Sequence, residues 1–208
     1  MRFSGGYDAE KFVAFKTATL AVYRVAHIAI NVEILDLQIF AGARQIFGKP
    51  VTDQDYERSR RIIENWIAFK EPYPPVGKAA WHACRVLRDS VMNLDEGNFT
   101  DFFHYPWCLY LASLTCWAFH LGGASRRNSD QASQPPCQKG DRDLRSEMAT
   151  LVIGMTSRGG VEDLCEIAGL YKVQAMIWLS AKQLESVRWA VMREGAKVLE
   201  GLCTAQNS

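Results

Sequence analysis

The chain has 208 residues, of which 48% are hydrophobic and 11% aromatic, and its 24 Lys and Arg residues nearly balance its 23 Asp and Glu residues. This composition excludes an intrinsically disordered chain and predicts one sizeable core. A protein that holds nucleic acid through its phosphates usually has a basic surplus or stripe. The nearest approach is the cluster Arg58, Arg60 and Arg61, which Glu57 and Glu64 dilute. We therefore expect a solvated helix face there and no direct nucleic acid contact.

Helical periodicity begins near the amino terminus. A set of residues in steps of three and four lies on one face of a first long helix, which Asn31 interrupts. These residues are Phe12, Phe15, Thr19, Val22, Ala26 and Ile30. A second helix is predicted to carry Leu35, Ile39 and Ile46 and to end at the Gly48-Lys49-Pro50 sequence.

Two further helices follow before the middle of the chain. Thr52 is a good N-cap residue, with Asp53 and Asp55 in the first turn of a helix that runs to about Phe69. It is expected to bury Ile63, Trp66 and Ile67. Pro72, Pro74 and Pro75 end it. The next helix has an apolar stripe opposite a polar one. The stripe comprises Val76, Ala80, Ala83, Cys84, Leu87 and Val91.

The segment 106–121 is hydrophobic on every side, which is typical of a central helix wrapped by its neighbours. A stretch rich in Ser, Gln and Pro follows, and we expect a disordered loop at about 124–142 because it offers few apolar groups for burial. Helicity then resumes with Leu144, Met148, Leu151, Val152 and Met155. Gly159-Gly160 breaks it.

A short helix from Val161 and two final helices from about Lys172 to Cys203 complete the chain. The last is expected to carry a stripe of Leu184, Val187, Val191, Val198 and Leu202. No run of alternating residues predicts a convincing strand. The fold class is therefore all-α, a multi-helix globular bundle around the central helix 106–121.

The six cysteines form no C-x-x-C pair, so buried free thiols in a reducing compartment explain them better than a disulfide framework. Candidate metal ligands are His104, Cys108, Cys116 and His120, which form an H-x3-C and a C-x3-H pair. The two pairs are twelve residues apart on one predicted helix, or ~18 Å, whereas zinc ligands must meet at one point. We therefore expect no metal site.

Catalytic motifs are also missing from the sequence. Glu162, Asp163 and Glu166 are best explained as acids near a helix start, where they interact with the helix dipole. No nucleophile elbow or phosphate-binding loop occurs. We predict no enzyme and no catalytic, cofactor-binding, metal or DNA-binding residue. An alternative is a helical small-ligand-binding protein or enzyme with a pocket between helices, which would have a polar cluster around His104, His120 and Tyr110.

Four stretches, taken in order, resemble the carboxy-terminal half of the fungal-specific transcription factor regulatory domain. They are NVEILDLQIFAG at 31–42, KAAWHACRVLR at 78–88, PWCLYLASLTCWAF at 106–119 and RWAVMREGAKVLEGL at 188–202. The third is the most telling. The family's zinc-containing DNA-binding module has no counterpart in this sequence, so no zinc ligand or base-contacting residue is carried over.

The resemblance implies a single helical regulatory domain over 1–208, with the loop at 124–142 as an insertion, in a nuclear transcription factor. Its partners would be proteins or other domains of that factor, with a homodimer as one possibility, and neither nucleic acid nor membrane. No cofactor is expected, since zinc would belong to the missing module. We expect the chain to be a fragment, a truncated product or a diverged relative.

Overall fold

The computed structural model describes residues 5–68, 74–92, 102–127 and 140–205, and these ranges are helical almost throughout, as predicted. The described elements are α1 Gly5–Asn31, α2 Ile34–Phe40, β1 Gln45–Ile46, β2 Lys49–Pro50, α3 Asp53–Trp66, α4 Pro75–Met92, α5 Tyr105–Arg127, α6 Asp141–Thr156, α7 Val161–Glu166, α8 Gln174–Glu185 and α9 Ala190–Ala205.

Helix α5 is the centre of the bundle, as its sequence predicted. It is buried on all sides from Tyr105 to Gly123 apart from Trp107 and Leu121, and α1, α2, α4, α8 and α9 pack around it. The hydroxyls of Ser113 and Thr115 donate to backbone carbonyls one turn earlier, whereas Trp117 Nε1 and His120 Nε2 are buried without a hydrogen-bond partner among the described residues. The Ser113 hydroxyl also lies 2.9 Å from the Ser180 hydroxyl of α8, so the core contains a polar link between two helices.

Helices α4 and α6 bury the stripes that their sequences predicted. On α4, Val76, Ala80, Ala83, Cys84 and Leu87 are buried, and the side chain of Val91 lies outside the described part. On α6, all five predicted core residues are buried. Both helices pack against each other, and α6 also packs against α8.

Helix α1 turns its small residues inward. Ala14, Ala18, Ala21 and Ile28 are buried in the direction of α4 and α5, which both pack against α1. Because Ala and Ile28 already fill the inner face, the predicted apolar stripe from Phe12 to Ile30 lies on the opposite, solvent-facing side. The Arg24 guanidinium ties α1 to α4 through an ion pair with Asp89.

The predicted second helix is too long. Helix α2 ends at Phe40, and Gly42 then takes a φ of +96°, which an ordinary helix residue does not adopt. Residues 45–50 form an antiparallel hairpin in which Gln45 pairs with Pro50 and Ile46 with Lys49. The expectation that Ile46 is helical and that no strand occurs is therefore wrong here. Phe47 and Gly48 both have positive φ, as the two central residues of a tight hairpin turn require.

The start of α3 is the one that the sequence predicted. The Thr52 hydroxyl accepts a hydrogen bond from the Asp55 backbone N–H, and the Asp55 carboxylate accepts one from the Thr52 backbone N–H, which makes a capping box. The helix buries Ile63 and Ile67 and half-buries Trp66, whose indole N–H donates to the Asn31 carbonyl. It ends at Trp66, and the predicted end at Phe69 lies outside the described residues.

The two helices that flank the predicted loop at about 124–142 extend into it on both sides. Residues 124–127 belong to α5 and residues 141–142 to α6, and 128–139 lie outside the described residues. Arg126 and Arg127 hold the last turn of α5 in place, because their guanidinium groups donate to the carbonyl oxygens of Cys165 and Ala168. These carbonyls belong to the end of α7 and the turn after it, where cations are favourably placed.

Only part of the stripe predicted for the final helix lies on α9, and one residue of that part is exposed. Leu184, Val187 and Leu202 are buried, but Val191 is exposed and the neighbouring Met192 is buried in its place. The reason is that α9 begins only at Ala190. Leu184 lies on α8 and Val187 between the two helices, so their positions do not determine which side of α9 is buried.

Thiols are distributed through the core. Cys84, Cys108, Cys116, Cys165 and Cys203 are free and buried, and Cys137 lies outside the described residues. Burial raises the pKa of Cys84, Cys108 and Cys165 to about 11 and that of Cys116 well above its usual value. These thiols remain protonated and behave as small apolar side chains.

Candidate interaction surfaces

The two histidines suspected of metal ligation have protein partners instead. The His104 Nε2 atom lies 3.1 Å from the Ala18 carbonyl oxygen of α1. The His120 Nδ1 atom accepts a hydrogen bond from the Gly169 N–H at 3.0 Å, and burial lowers the pKa of this histidine to about 3. In residues 5–68, 74–92, 102–127 and 140–205, no group of three or more His, Cys, Asp or Glu side chains could hold a metal ion.

The suspected carboxylates lie on the surface at α7. Glu162 and Asp163 are in its first turn, and Asp163 accepts a hydrogen bond from the Gly159 N–H at 3.2 Å. Glu166 is exposed at the other end of the same short helix. This arrangement is that of acids interacting with a helix start, and the prediction of no metal or catalytic residue here remains a prediction.

An apolar surface on α1 is the most conspicuous feature of the exterior. We call the residues Phe12, Phe15, Thr19, Val22, Ala26 and Ile30 the α1 outer face. Phe12 is 67% exposed, Phe15 59% and Ile30 78%, and the other three residues are exposed as well. They advance by about 3.6 residues a step, so they stay on one side of a straight helix for ~27 Å. Monomeric proteins rarely leave an apolar strip of this length in water.

The same helix has the composition of a membrane-crossing segment. The stretch Phe12–Asn31 has 20 residues and a mean hydropathy of 1.3, so it is long and apolar enough to cross a membrane. Core helices of soluble proteins also reach this length and hydropathy. In this structure the opposite side of α1 packs into the bundle and carries the Arg24–Asp89 ion pair. The exposed apolar strip is therefore one side of a helix whose other side is already partnered.

A cavity of about 430 Å³ lies where the hairpin, α2, α5 and α9 meet. Its aromatic walls are Trp107 and Tyr110 of α5 and Phe47 of the hairpin turn, and Val191 and Gly195 of α9 line the side opposite the hairpin. Tyr110 thus belongs to a pocket between helices, as the alternative interpretation expected, whereas His104 and His120 do not line it. Gly195 leaves room for the tyrosine, because a Cβ at this position would lie 3.3 Å from the Tyr110 ring.

An amide, a phenol and two charged side chains line this cavity. Gln38 is buried, and its amide nitrogen donates to the Ile34 carbonyl at 3.3 Å. Burial raises the pKa of Tyr110, so its hydroxyl is a neutral donor. Arg44 and Glu194 line the cavity from exposed positions on the hairpin side and on α9.

Sequence reasoning missed both the exposure of the α1 outer face and the cavity. The cavity combines residues from 34–48, 107–110 and 190–198, which only the packing of α2, α5 and α9 brings together. One signal was present in the sequence. A Phe-Gly pair followed by Lys-Pro, directly after a short helix, is compatible with a turn, although the usual hairpin signal is Asn-Gly or Asp-Gly.

Comparison with known proteins identifies two fungal relatives. The chain is 38% identical over 195 residues to the nicotinate catabolism cluster-specific transcription factor of Emericella nidulans, a match that covers 94% of this chain and 20% of that protein. It is 23% identical over 183 residues to the zinc finger protein klf1 of Schizosaccharomyces pombe, covering 88% of this chain and 22% of that protein. No family model and no solved structure matches the chain.

The chain spans about a fifth of the length of the curated relatives that it matches. The match to the first of them covers 94% of this chain, and therefore most of the region that contains the four stretches on which the resemblance was based. The resemblance is therefore confirmed, and this chain is related to a segment of the fungal pathway-specific transcription factors.

Proposed function

We propose that this chain is a non-catalytic regulatory domain of a nuclear transcription factor of the fungal type, and that it acts through protein contacts made by the α1 outer face. The similarity to a fungal transcription factor and to a fungal zinc finger protein supports the regulatory role and the nuclear location. In this proposal, DNA binding belongs to a separate zinc-containing module of the factor.

The observation that carries the proposal is that α1 has small apolar residues on its buried side and large apolar residues on its exposed side. Its inner side uses small residues such as Ala18 and Ala21 to approach α4 and α5 closely, while the outer side presents Phe12, Phe15 and Ile30 to solvent. Exposing three large apolar side chains on one strip is unfavourable in water. A partner helix that covered the strip would remove this cost.

The occupant that we favour is the same helix of a second copy. An apolar strip with steps of three and four is self-complementary, because two such helices can pack side by side along a two-fold axis. The exposed parts of its side chains amount to roughly 600 Å² per copy, which approaches the ~800 Å² per partner of a standard interface. A homodimer is also one of the assemblies that the resemblance to the transcription factor family implies.

Sedimentation of the purified chain tests the contact. We expect a dimer with a micromolar Kd, and we expect Phe12→Glu combined with Ile30→Glu to weaken it by about tenfold or more, because two charges would enter an apolar interface. Ile153→Glu is the matched control, since Ile153 is similarly exposed (64%) but lies on α6. A wild-type chain that sediments as a monomer at high micromolar concentration, or a double variant that dimerises normally, would overturn the proposed contact.

A reporter assay tests the regulatory role separately. The full chain fused to an unrelated DNA-binding module should change transcription from a promoter bearing that module's site, and the double variant should change it less than the Ile153→Glu control does. Reporter output identical to that of the DNA-binding module alone would contradict the regulatory role.

A further inference from the structure

We propose that the cavity between the hairpin and α9 binds a small, flat aromatic molecule that carries an anionic group, such as a carboxylate. This inference goes beyond the protein contacts proposed for the α1 outer face, which uses other residues. It rests on the shape, the unpartnered polar atoms and the charge of the cavity.

The size and walls of the cavity suit one or two aromatic rings. Its volume of about 430 Å³ lies within the range of ordinary ligand pockets, ~300–1,000 Å³. Trp107 and Tyr110 have ring centroids 5.4 Å apart on one wall, and Phe47 stands at the hairpin side. Flat faces of this kind favour a planar ligand, which can stack or meet them edge-on.

Two largely buried residues in this cavity have hydrogen-bonding groups without a partner in the described part of the chain. Tyr110 is 2% exposed and Gln38 is 7% exposed, and neither the phenol hydroxyl nor the amide oxygen of Gln38 is hydrogen-bonded to a described residue. A ligand with complementary atoms would hydrogen-bond to both groups. The pair therefore provides a hydrogen-bonding floor beside the aromatic walls.

The unbalanced charge at the cavity is positive. Arg44 is exposed at the cavity and has no ion pair among the described residues. The nearby Glu194 carboxylate is 2.7 Å from Lys197 Nζ, so it already has a counter-ion. A guanidinium group binds a carboxylate through two parallel hydrogen bonds, which gives an anionic ligand both affinity and orientation.

Phe47 adds an independent indication of a binding role. It has a φ of 51°, which is unusual for a bulky residue, and its ring is 88% exposed. Asn, Asp or Gly would adopt this turn conformation with less strain, so the aromatic side chain is not explained by the needs of the hairpin. A ring ligand in the cavity would give the exposed Phe47 ring an apolar contact.

Binding of three simple probes to the purified chain tests this proposal. Benzoate combines a ring with a carboxylate, benzamide keeps the ring without the charge, and cyclohexanecarboxylate keeps the charge without planarity. Titration calorimetry, together with Trp fluorescence as a report on Trp107, should give benzoate a Kd on the order of 1 mM, as expected for so small a ligand. Benzamide and cyclohexanecarboxylate should each bind about tenfold more weakly.

Variants assign the binding to the cavity. Arg44→Gln should remove the preference for benzoate over benzamide, whereas Arg193→Gln, at an exposed position of α9 that does not line the cavity, should preserve it. Tyr110→Phe should weaken benzoate binding several-fold through loss of one hydroxyl. Val191→Trp would fill the cavity from an exposed position and should abolish binding without unfolding the chain, with Ile153→Trp as its control.

Three results would overturn the proposal: no binding of benzoate by a folded wild-type chain at concentrations well above the expected Kd, equal binding of all three probes, or unchanged benzoate binding in Val191→Trp. Sedimentation of the same samples keeps the two proposals distinguishable. Loss of benzoate binding in a chain that still dimerises would count against the cavity alone, and a monomeric chain that binds benzoate would count against the α1 contact alone.

Discussion

The imidazole rings of His27 on α1 and His82 on α4 are stacked, with their centroids 4.4 Å apart and 5° between their planes. Burial, and to a smaller extent the charges of His27, Arg85 and Arg24, lowers the pKa of His82 from 6.5 to about 4. The contact therefore favours a neutral His82 in the folded chain.

We predict that the folded state loses stability as the pH falls from 6.5 toward 4. Over this range the unfolded chain binds a proton at His82 that the folded chain does not bind, so the free energy of unfolding decreases with decreasing pH. Because the ring is only half-buried, solvent screening reduces the effect at pH 5 to about 1 kcal/mol. Urea unfolding at pH 7 and pH 5 measures it.

His82→Phe supplies the comparison for this measurement. The phenyl ring can still stack on His27 but does not titrate, so the variant should lose about 1 kcal/mol less than the wild type between the two pH values. His120, whose pKa is about 3, makes the same pH-dependent contribution to the free energy of unfolding in both proteins, so it cancels when the two losses are compared. Equal losses in the two proteins would show that the stacked pair is not sensitive to protons.

A charge in the middle of α5 should unfold the domain. Leu114 is fully buried in the helix that the others surround, and Leu114→Asp would place a carboxylate there without a partner. Leu114→Ala should cost about 3 kcal/mol by leaving a cavity. Thermal unfolding followed by circular dichroism checks both, with Ile153→Asp on the exposed side of α6 as the control. An unchanged midpoint in Leu114→Asp would refute the central position of α5.

The ion pair between Arg24 and Asp89 should matter more than its surface counterparts. Both side chains are largely buried, at 12% and 18% exposure, so Asp89→Ala leaves a guanidinium group in the α1–α4 contact without its main counter-charge. We expect a loss of about 2–4 kcal/mol in urea unfolding. Glu64→Ala, which breaks an exposed pair with Arg60 on α3, should cost less than about 0.5 kcal/mol. Equal costs would contradict the burial argument.

Gly123 should be intolerant of any side chain. A Cβ at this position of α5 would lie 2.2 Å from the Ala168 carbonyl carbon, where the turn after α7 crosses the helix. Because backbone atoms cannot give way as a flexible side chain can, Gly123→Ala should destabilise the fold by about 2 kcal/mol or more.

The matched control for this variant is Gly201→Ala on α9. No atom lies within 4 Å of a Cβ at Gly201, so alanine there should raise the free energy of unfolding by about 0.5–1 kcal/mol through its higher helix propensity. Chemical unfolding of both variants measures the two shifts. Shifts of the same sign would mean that the crossing at Ala168 is not a close backbone contact.

Local signals in the sequence were sufficient to predict several elements of the fold. The Thr52 cap, the all-round hydrophobicity of α5 and the five core residues of α6 each depend on neighbours within a few turns of helix. The hairpin was missed because each of its strands has two residues, too few for an alternating pattern, and because Phe47 occupies a turn position usually held by Asn or Gly.

The orientation of α1 could not be predicted for a different reason. Both of its sides are apolar, and a scale of hydrophobicity favours burying Phe12 and Ile30 over Ala18 and Ala21. The structure buries the alanines because small residues allow α4 and α5 to approach the α1 backbone closely. The cavity was equally inaccessible to local reasoning, since its walls come from three separated segments.

The distribution of the buried thiols gives this protein a built-in set of unfolding reporters. Cys84 lies on α4, Cys108 and Cys116 on α5, Cys165 on α7 and Cys203 on α9, and none is reactive while its helix is packed. A thiol-specific alkylating reagent therefore labels each site only when that part of the chain opens. Mass spectrometry of the labelled peptides would rank the helices by their opening rates, without a single engineered substitution.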